Sequence, residues 1–210
     1  MSLEVYLIRH GESDLNLRRT FDDDPDAPLT ELGLEQAREV GRKLKEMLSG
    51  RENEIVAVYC SPYERARMTC EESLIQADLE IFEPIEDERI RERSFAGKNS
   101  KIKGKTVDFL WEDGKKQENA ITLQEYEGIW TKGSPLSEEF GIETSEDMEF
   151  RGGCFFDDLA KEYEEGIILI YTHGGFIRIA EVLFNGCPDG GRLYEIPFVE
   201  NGAIVKYILD

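Results

Sequence analysis

The 210 residues carry 25 Lys and Arg against 45 Asp and Glu, a formal net charge of −20, with 40% hydrophobic and 33% charged residues. That mix belongs to a globular chain able to bury a core, expected as one domain over 1–210, and not to a disordered or membrane-embedded one. The acidity argues against nucleic acid and anionic membranes as partners, because both would be repelled over most of the surface. No apolar run reaches transmembrane length and the amino terminus lacks a secretory pattern, so a cytoplasmic location is expected. The four cysteines (60, 70, 154 and 187) form no Cys-x-x-Cys pair and are read as reduced core residues, with no metal site.

Residues 4–8 (Glu-Val-Tyr-Leu-Ile) make an apolar, β-branched run that stops at Arg9-His10-Gly11, the pattern of a buried strand entering a loop. Thr30 is placed to cap a helix running to about Ser49, with Leu34, Ala37, Gly41, Leu44 and Leu48 on one face and Gly50 as the stop. A second strand is expected over 54–60, followed by a helix that starts at Ser61-Pro62 and carries Arg65 in its first turn. Residues 86–140 are polar, glycine-dotted and weakly periodic, and read as an insertion over the sheet edge and active site. A third strand over 167–172 leads into His173-Gly174-Gly175 and an apolar helix through Phe184, and a last strand spans 203–209. Strands alternating with helices predict an α/β fold, a three-layer α/β/α sandwich with a mostly parallel central sheet. Such a fold binds ligands beyond the carboxyl ends of its strands.

Only two histidines are present, and each ends a predicted strand directly before a glycine, with arginines nearby. A lone histidine is more often structural, but two in identical settings point to a site. Arg9-His10-Gly11-Glu12, Ser61-Pro62-x-x-Arg65-Ala66-x-x-Thr69 and His173-Gly174 together resemble the three motifs of the histidine phosphatase (phosphoglycerate mutase-like) superfamily. Asn16, Pro28-Leu29-Thr30, Gly33 and Gln36-Ala37 also fit that pattern. The resemblance implies that His10 is the nucleophile, transiently phosphorylated, and that neither metal nor cofactor is required. Arg9 and Arg65 would neutralise the equatorial phosphoryl oxygens, since a guanidinium is always charged and offers a planar fork of donors. Their field should keep a nitrogen of His10 unprotonated, while His173, best as a cation, would donate to the phosphoryl oxygens. Asn16 and Gly174 are further expected substrate contacts.

The departing alkoxide needs a proton and the later water a base. Glu92, in Ile90-Arg91-Glu92-Arg93-Ser94-Phe95-Ala96-Gly97, matches the family's acid position, and Glu12 is the alternative, unless it merely orients its loop. Residues 89–105 hold seven Lys and Arg against the single acid Glu92, an excess of six positive charges in an acidic chain. Either they form an anion-steering rim, with Arg91 and Lys98 gripping a second phosphate or carboxylate, or they are a basic loop paired with acidic neighbours. The aspartates at 22–24 and 26 read as a solvated loop.

Ser94-Phe95-Ala96-Gly97 and Gly175-Phe176 depart from the mutase pattern and favour hydrolysis. Residues 141–159 resemble the Gly-Glu-Thr segment and following helix of the TIGAR-type, fructose-2,6-bisphosphatase-like branch. The expected activity is therefore phosphomonoester hydrolysis on a small phosphorylated metabolite such as a sugar bisphosphate. A phosphoglycerate mutase and a non-catalytic phosphate-pocket protein are the alternatives, and oligomeric state is left open.

Overall fold

A computed structural model describes residues 2–18, 20–22, 24–95, 101–107 and 120–209. Its main sheet is built from β1 (Leu3–Arg9), β2 (Ile55–Cys60), β3 (Ile85–Glu86), β6 (Gly166–Thr172) and β7 (Ile204–Leu209) in the order β3-β2-β6-β1-β7. The first four run parallel and β7 pairs antiparallel with β1, so the sheet is mostly parallel as expected. A minor parallel pair joins β4 (Thr106–Val107) and β5 (Ala120–Ile121).

Strand side chains alternate between two helical layers, which is why β1 and β6 are apolar on both faces. Tyr6, Ile8, Val58, Ile167, Leu169 and Tyr171 pack under α2 (Glu31–Met47) and α3 (Glu64–Gln76). Leu3, Val5, Leu7, Ala57, Ile168 and Ile170 pack under α6 (Ser145–Glu162) and α7 (Gly174–Asn185). The result is the three-layer α/β/α sandwich. Thr30 caps α2 by accepting from Gly33 N, and Gly41 lets α2 approach α3 so closely that an added Cβ would lie 2.3 Å from Ser73 O.

Helix α3 begins at Glu64, later than Ser61-Pro62 suggested; Tyr63 stands at its cap position without a side-chain cap, and the Ser61 hydroxyl bonds His173. Of the cysteines, Cys60 and Cys70 lie in the core, but Cys154 is half-buried and Cys187 exposed, which corrects the reading of all four as core residues; all are free.

The described part of segment 86–140, expected as a polar insertion over the sheet edge, does start at that edge but carries apolar structure of its own. It opens as edge strand β3 and continues through β4, β5, α4 (Leu123–Ile129) and α5 (Leu136–Phe140). Phe95, Ile102, Ile121, Ile129, Trp130 and Phe140 form an apolar cluster that closes on Met148 of α6 and on Ile179 and Val182 of α7. These residues are too widely spaced to read as one periodic face; tertiary packing assembles them. Among the described residues no helix is long and apolar enough to cross a membrane.

Candidate active site

Beyond the carboxyl ends of β1 and β6 lies a cavity of about 400 Å³, lined at its base by Arg9, His10, Ser13, Asn16, Arg65 and Glu92. The loop after β1 is tightly held. His10 N donates to Thr172 O and Arg9 N to Ala203 O, while Asn201 Nδ2 donates to the His10 carbonyl at 3.0 Å. Gly11 faces Gly33 backbone to backbone, where a Cβ on Gly11 would sit 2.3 Å from Gly33 O, and Gly11 N donates to Thr69 Oγ1. Glycine at 11 and 33 is thus a packing requirement.

The ring of His10 is buried, and its Nδ1 lies 2.6 Å from Gly11 O. A carbonyl only accepts, so Nδ1 carries the hydrogen and Nε2 keeps its lone pair. Burial first, then the charges of Arg65 and Arg9, hold the His10 pKa well below its ordinary value, against a smaller opposing pull from the Gly11 bond. The neutral, Nδ1-protonated form is the one suited to nucleophilic attack.

His173 sits behind His10, ring centroids 5.1 Å apart, and is fully buried. Its Nε2 shares a 2.7 Å hydrogen bond with Ser61 Oγ, and its Nδ1 has no partner among the described residues. Burial, Arg65 and His10 depress its pKa well below the usual value. Burial thus favours the neutral ring, and the cation expected to serve the reaction would need a phosphoryl dianion nearby to offset the desolvation. Arg65, buried in the first turn of α3, donates to Asp24 O and stacks on Tyr63. Arg9 donates to Val199 O through Nη1, and its buried Nε has no partner among the described residues. Asn16 Oδ1 accepts from Ser13 and Asn201. That leaves its amide hydrogens for the cavity.

Glu92 reaches the cavity from the segment after β3. Its Oε1 accepts from Arg93 N at 2.9 Å and its Oε2 from Gly175 N, in the first turn of α7, at 3.1 Å. A Cβ at position 175 would lie 1.9 Å from Glu92 Oε1, so glycine at 175 makes room for this contact. Gly174, expected at the substrate, instead gives space to Arg9 and Phe198, 3.0–3.1 Å from where its Cβ would be. Glu12 is absent from the cavity lining; its Oε1 accepts from Thr30 Oγ1 and its N donates to Gln36, so it orients the loop.

The arginines of 89–105 are not a substrate rim. Arg89 pairs with Asp87 and Asp158. Arg91, expected to grip substrate, is turned away onto Glu143 through both Nη atoms at 2.9 and 3.2 Å, where a half-buried cation finds a bidentate partner. Arg93 is completely buried, donating to Ile129 O at 2.9 Å and Ser145 Oγ at 2.7 Å, with its charge 4.0 Å over the Trp130 ring. Burial brings its pKa down to about 10, so it stays charged at neutral pH. Lys103 pairs with Asp22 at 3.3 Å. Lys98 lies outside the described residues.

Sequence reasoning missed Arg178. It lies on α7 with its charge 3.5 Å over Phe198 and 4.7 Å over Trp130, and its Nε and Nη1 are buried without hydrogen-bond partners among the described residues. Trp130 is thus stacked against both Arg93 and Arg178 and forms cavity wall with Phe198, 5.6 Å away. The Asn201-Gly202 pair, a turn signal ahead of the last strand, was the one local hint of the Asn201 contact to His10.

A nucleophile-ready histidine between two arginines at the strand ends of a mostly parallel sheet defines a phosphoryl-handling site of the α/β class. The chain belongs to the histidine phosphatase superfamily (branch 1), whose model matches residues 5–207. It is 30% identical over 206 residues to a 2,3-bisphosphoglycerate-dependent phosphoglycerate mutase of Treponema denticola, covering 89% of this chain and 80% of that protein. It is 25% identical over 190 residues to a metal-independent phosphoserine phosphatase of Arabidopsis thaliana, covering 90% of this chain and 72% of the relative. A crystal structure of phosphoglycerate mutase from Bacillus anthracis superposes with a TM-score of 0.74 at 21% identity, over 98% of this chain and 87% of that one, a likeness of fold.

Proposed function

We propose that this protein hydrolyses small phosphomonoesters through a phosphohistidine at His10, without a metal ion. The observation that carries the reading is the His10 Nδ1 bond to Gly11 O, which leaves Nε2 as a lone-pair donor in a cavity walled by two guanidinium groups. Nε2 attacks phosphorus in line as the bond to the leaving oxygen breaks, while Arg9, Arg65 and the Asn16 amide hold the equatorial oxygens. Glu92, in its protonated form, gives its proton to the leaving alkoxide. The resulting carboxylate then takes a proton from water as that water's oxygen attacks the phosphohistidine, which releases inorganic phosphate and restores Nε2. His173 backs His10 and, once a phosphoryl dianion is bound, adds positive charge beneath it.

The names of the relatives divide between phosphatase and mutase, and the Gly175-Phe176 and Ser94-Phe95 departures support hydrolysis here. The sugar-bisphosphate preference implied by resemblance draws no support from Arg91 and Arg93, whose charges are taken up inside the protein.

His10→Ala is expected to abolish phosphate release, by about 10⁴-fold or more, with folding retained. The assay is phosphate release from a panel of phosphomonoesters with EDTA present, alongside acid-labile labelling of the protein by substrate. Turnover indifferent to chelator and labelling lost in His10→Ala are the expected results. Isomerisation of monophosphoglycerate that needs a bisphosphoglycerate primer would show a mutase instead, and silence with retained phosphate binding a non-catalytic pocket.

A further inference from the structure

Above the polar base, the cavity wall is mostly apolar, with Leu15, Phe21, Phe95, Tyr126, Trp130 and Phe198 beside the polar Thr20 and Asp22. The rings brace one another. Phe21 lies 5.4 Å from Phe95 and 6.3 Å from Tyr126, and Trp130 meets Phe198 edge to face at 5.6 Å. Trp130 is further held by contacts with the guanidinium groups of Arg93 and Arg178, 4.0 and 4.7 Å from its ring centre. Such a wall keeps its shape when empty, so a leaving group that fits does not have to order it.

Charge points the same way. Once His10, Arg9, Arg65 and Asn16 are assigned to the phosphoryl group, the charged side chains left in the described lining are Asp22 and Glu92, both acids. Arg91, Arg93 and Lys103 are each matched by protein partners, Lys103 by Asp22 itself. A second phosphate would enter a ring-lined space and lose its hydration without meeting a further cation in the described lining, since Arg178 is buried against Trp130 and Phe198 and does not line the cavity. A flat apolar group would displace water from the rings at no such cost.

Resting on the phosphatase reading, we infer that the leaving group is apolar and preferably aromatic, so that the substrate class is a monophosphate ester carrying a ring and not a bisphosphate. The phosphoryl end is bound by the strand-end arginines and the alcohol end by the aromatic wall, with Phe198 and Phe21 as the specificity-determining residues at its accessible side.

The test compares 2-phenylethyl phosphate, glycerol phosphate and fructose 1,6-bisphosphate, all alkyl phosphates, so that leaving-group chemistry does not mimic recognition. The wild type is expected to show kcat/KM at least about tenfold higher for 2-phenylethyl phosphate than for either of the others. Phe198→Ala and Phe21→Ala should each reduce the ratio of 2-phenylethyl to glycerol phosphate kcat/KM by about fivefold, most of it in KM. Faster turnover of the bisphosphate or of glycerol phosphate, or an unchanged ratio in both variants, overturns the inference and leaves the phosphatase reading standing. If nothing is turned over, the phosphatase reading fails, and binding of 2-phenylethylphosphonate against ethylphosphonate by the wild type still decides the wall's role. Tighter binding of the aromatic phosphonate by about tenfold supports it, and equal binding overturns it.

Discussion

The base of the cavity and its wall are built by different means. Arg9, His10 and His173 follow directly from β1 and β6, so their positions are inherited from a hydrogen-bonded sheet whose central strands are buried on both faces. Half of the wall, Phe95, Tyr126 and Trp130, comes from segment 86–143, which is tied down by charge: Glu143 accepts from Arg91, Arg151 and Ser94 N, and Arg93 and Arg178 lie against Trp130; Leu15, Phe21 and Phe198 come from the connections after β1 and before β7. Chemistry is placed on the rigid part and selectivity on the part whose sequence can change without disturbing the sheet. Glu92 joins the two, reaching from the segment to the amino terminus of α7.

The largest test of that division after loss of His10 is Glu92→Gln. An amide retains the shape but cannot shuttle a proton, so kcat should fall by about 10²–10⁴-fold for alkyl phosphates. For an ester with a good leaving group, such as p-nitrophenyl phosphate, the fall in the phosphorylation step should be far smaller, which pre-steady-state release of nitrophenolate would measure. Equal losses for both esters would remove Glu92 from the acid role. Next comes Glu143→Gln. Burial works to raise the Glu143 pKa, but the bond from Arg151 and the charges of Arg151 and Arg91 prevail and hold it below the usual carboxylate value. Removing that charge leaves two partly buried arginines facing each other, at an expected cost of about 3 kcal/mol in urea unfolding. Arg151 also donates to the Glu92 carbonyl, so kcat should drop by about tenfold while the His10 base still binds phosphate. A variant with unaltered stability would mean that the segment is held by its apolar cluster alone.

How far the sequence reading reached follows the same boundary. Arg9, His10, Arg65 and His173 were legible because each is tied by a few covalent bonds to an apolar strand, and a strand's end fixes where the next residues stand. Glu92 was legible through its motif alone; no periodicity marks it. Arg91 was misplaced because a charge excess along the chain does not say which acid folds against it, and Glu143 lies 52 residues away. The Arg93–Trp130–Arg178 stack and the Asn201 contact to His10 were invisible for the same reason: each joins residues far apart in the chain through packing that hydrophobic pattern does not encode. The charge state of His173 was not legible either: reaction chemistry favours a cation, whereas burial pulls its pKa below the ordinary value.

That last difference gives the smallest expected effect and a way to address base and wall separately by pH. Both histidines of the chain are buried with pKa values well below the ordinary one. In the unfolded chain each takes a proton near pH 6.5, whereas the folded protein refuses it until far lower pH. Folding stability should thus be insensitive to these groups above about pH 7 and fall below pH 6.5, by at most about 1.4 kcal/mol per pH unit for each histidine. Glu143 has the opposite kind of shift, a depressed acid, whose contribution is complete above its unfolded pKa and is lost only as pH falls through its lower folded value. Between pH 6.5 and 5 the histidines should therefore act without the wall's main ionic tie. Urea unfolding of wild type and His173→Gln at pH 7, 6 and 5 measures the difference. The variant starts less stable but should lose stability about half as steeply over that interval, because one of the two proton acceptors of the unfolded chain is gone. Parallel losses in the two proteins would mean that His173 is already protonated when folded, and the charge beneath His10 would then be present before substrate arrives.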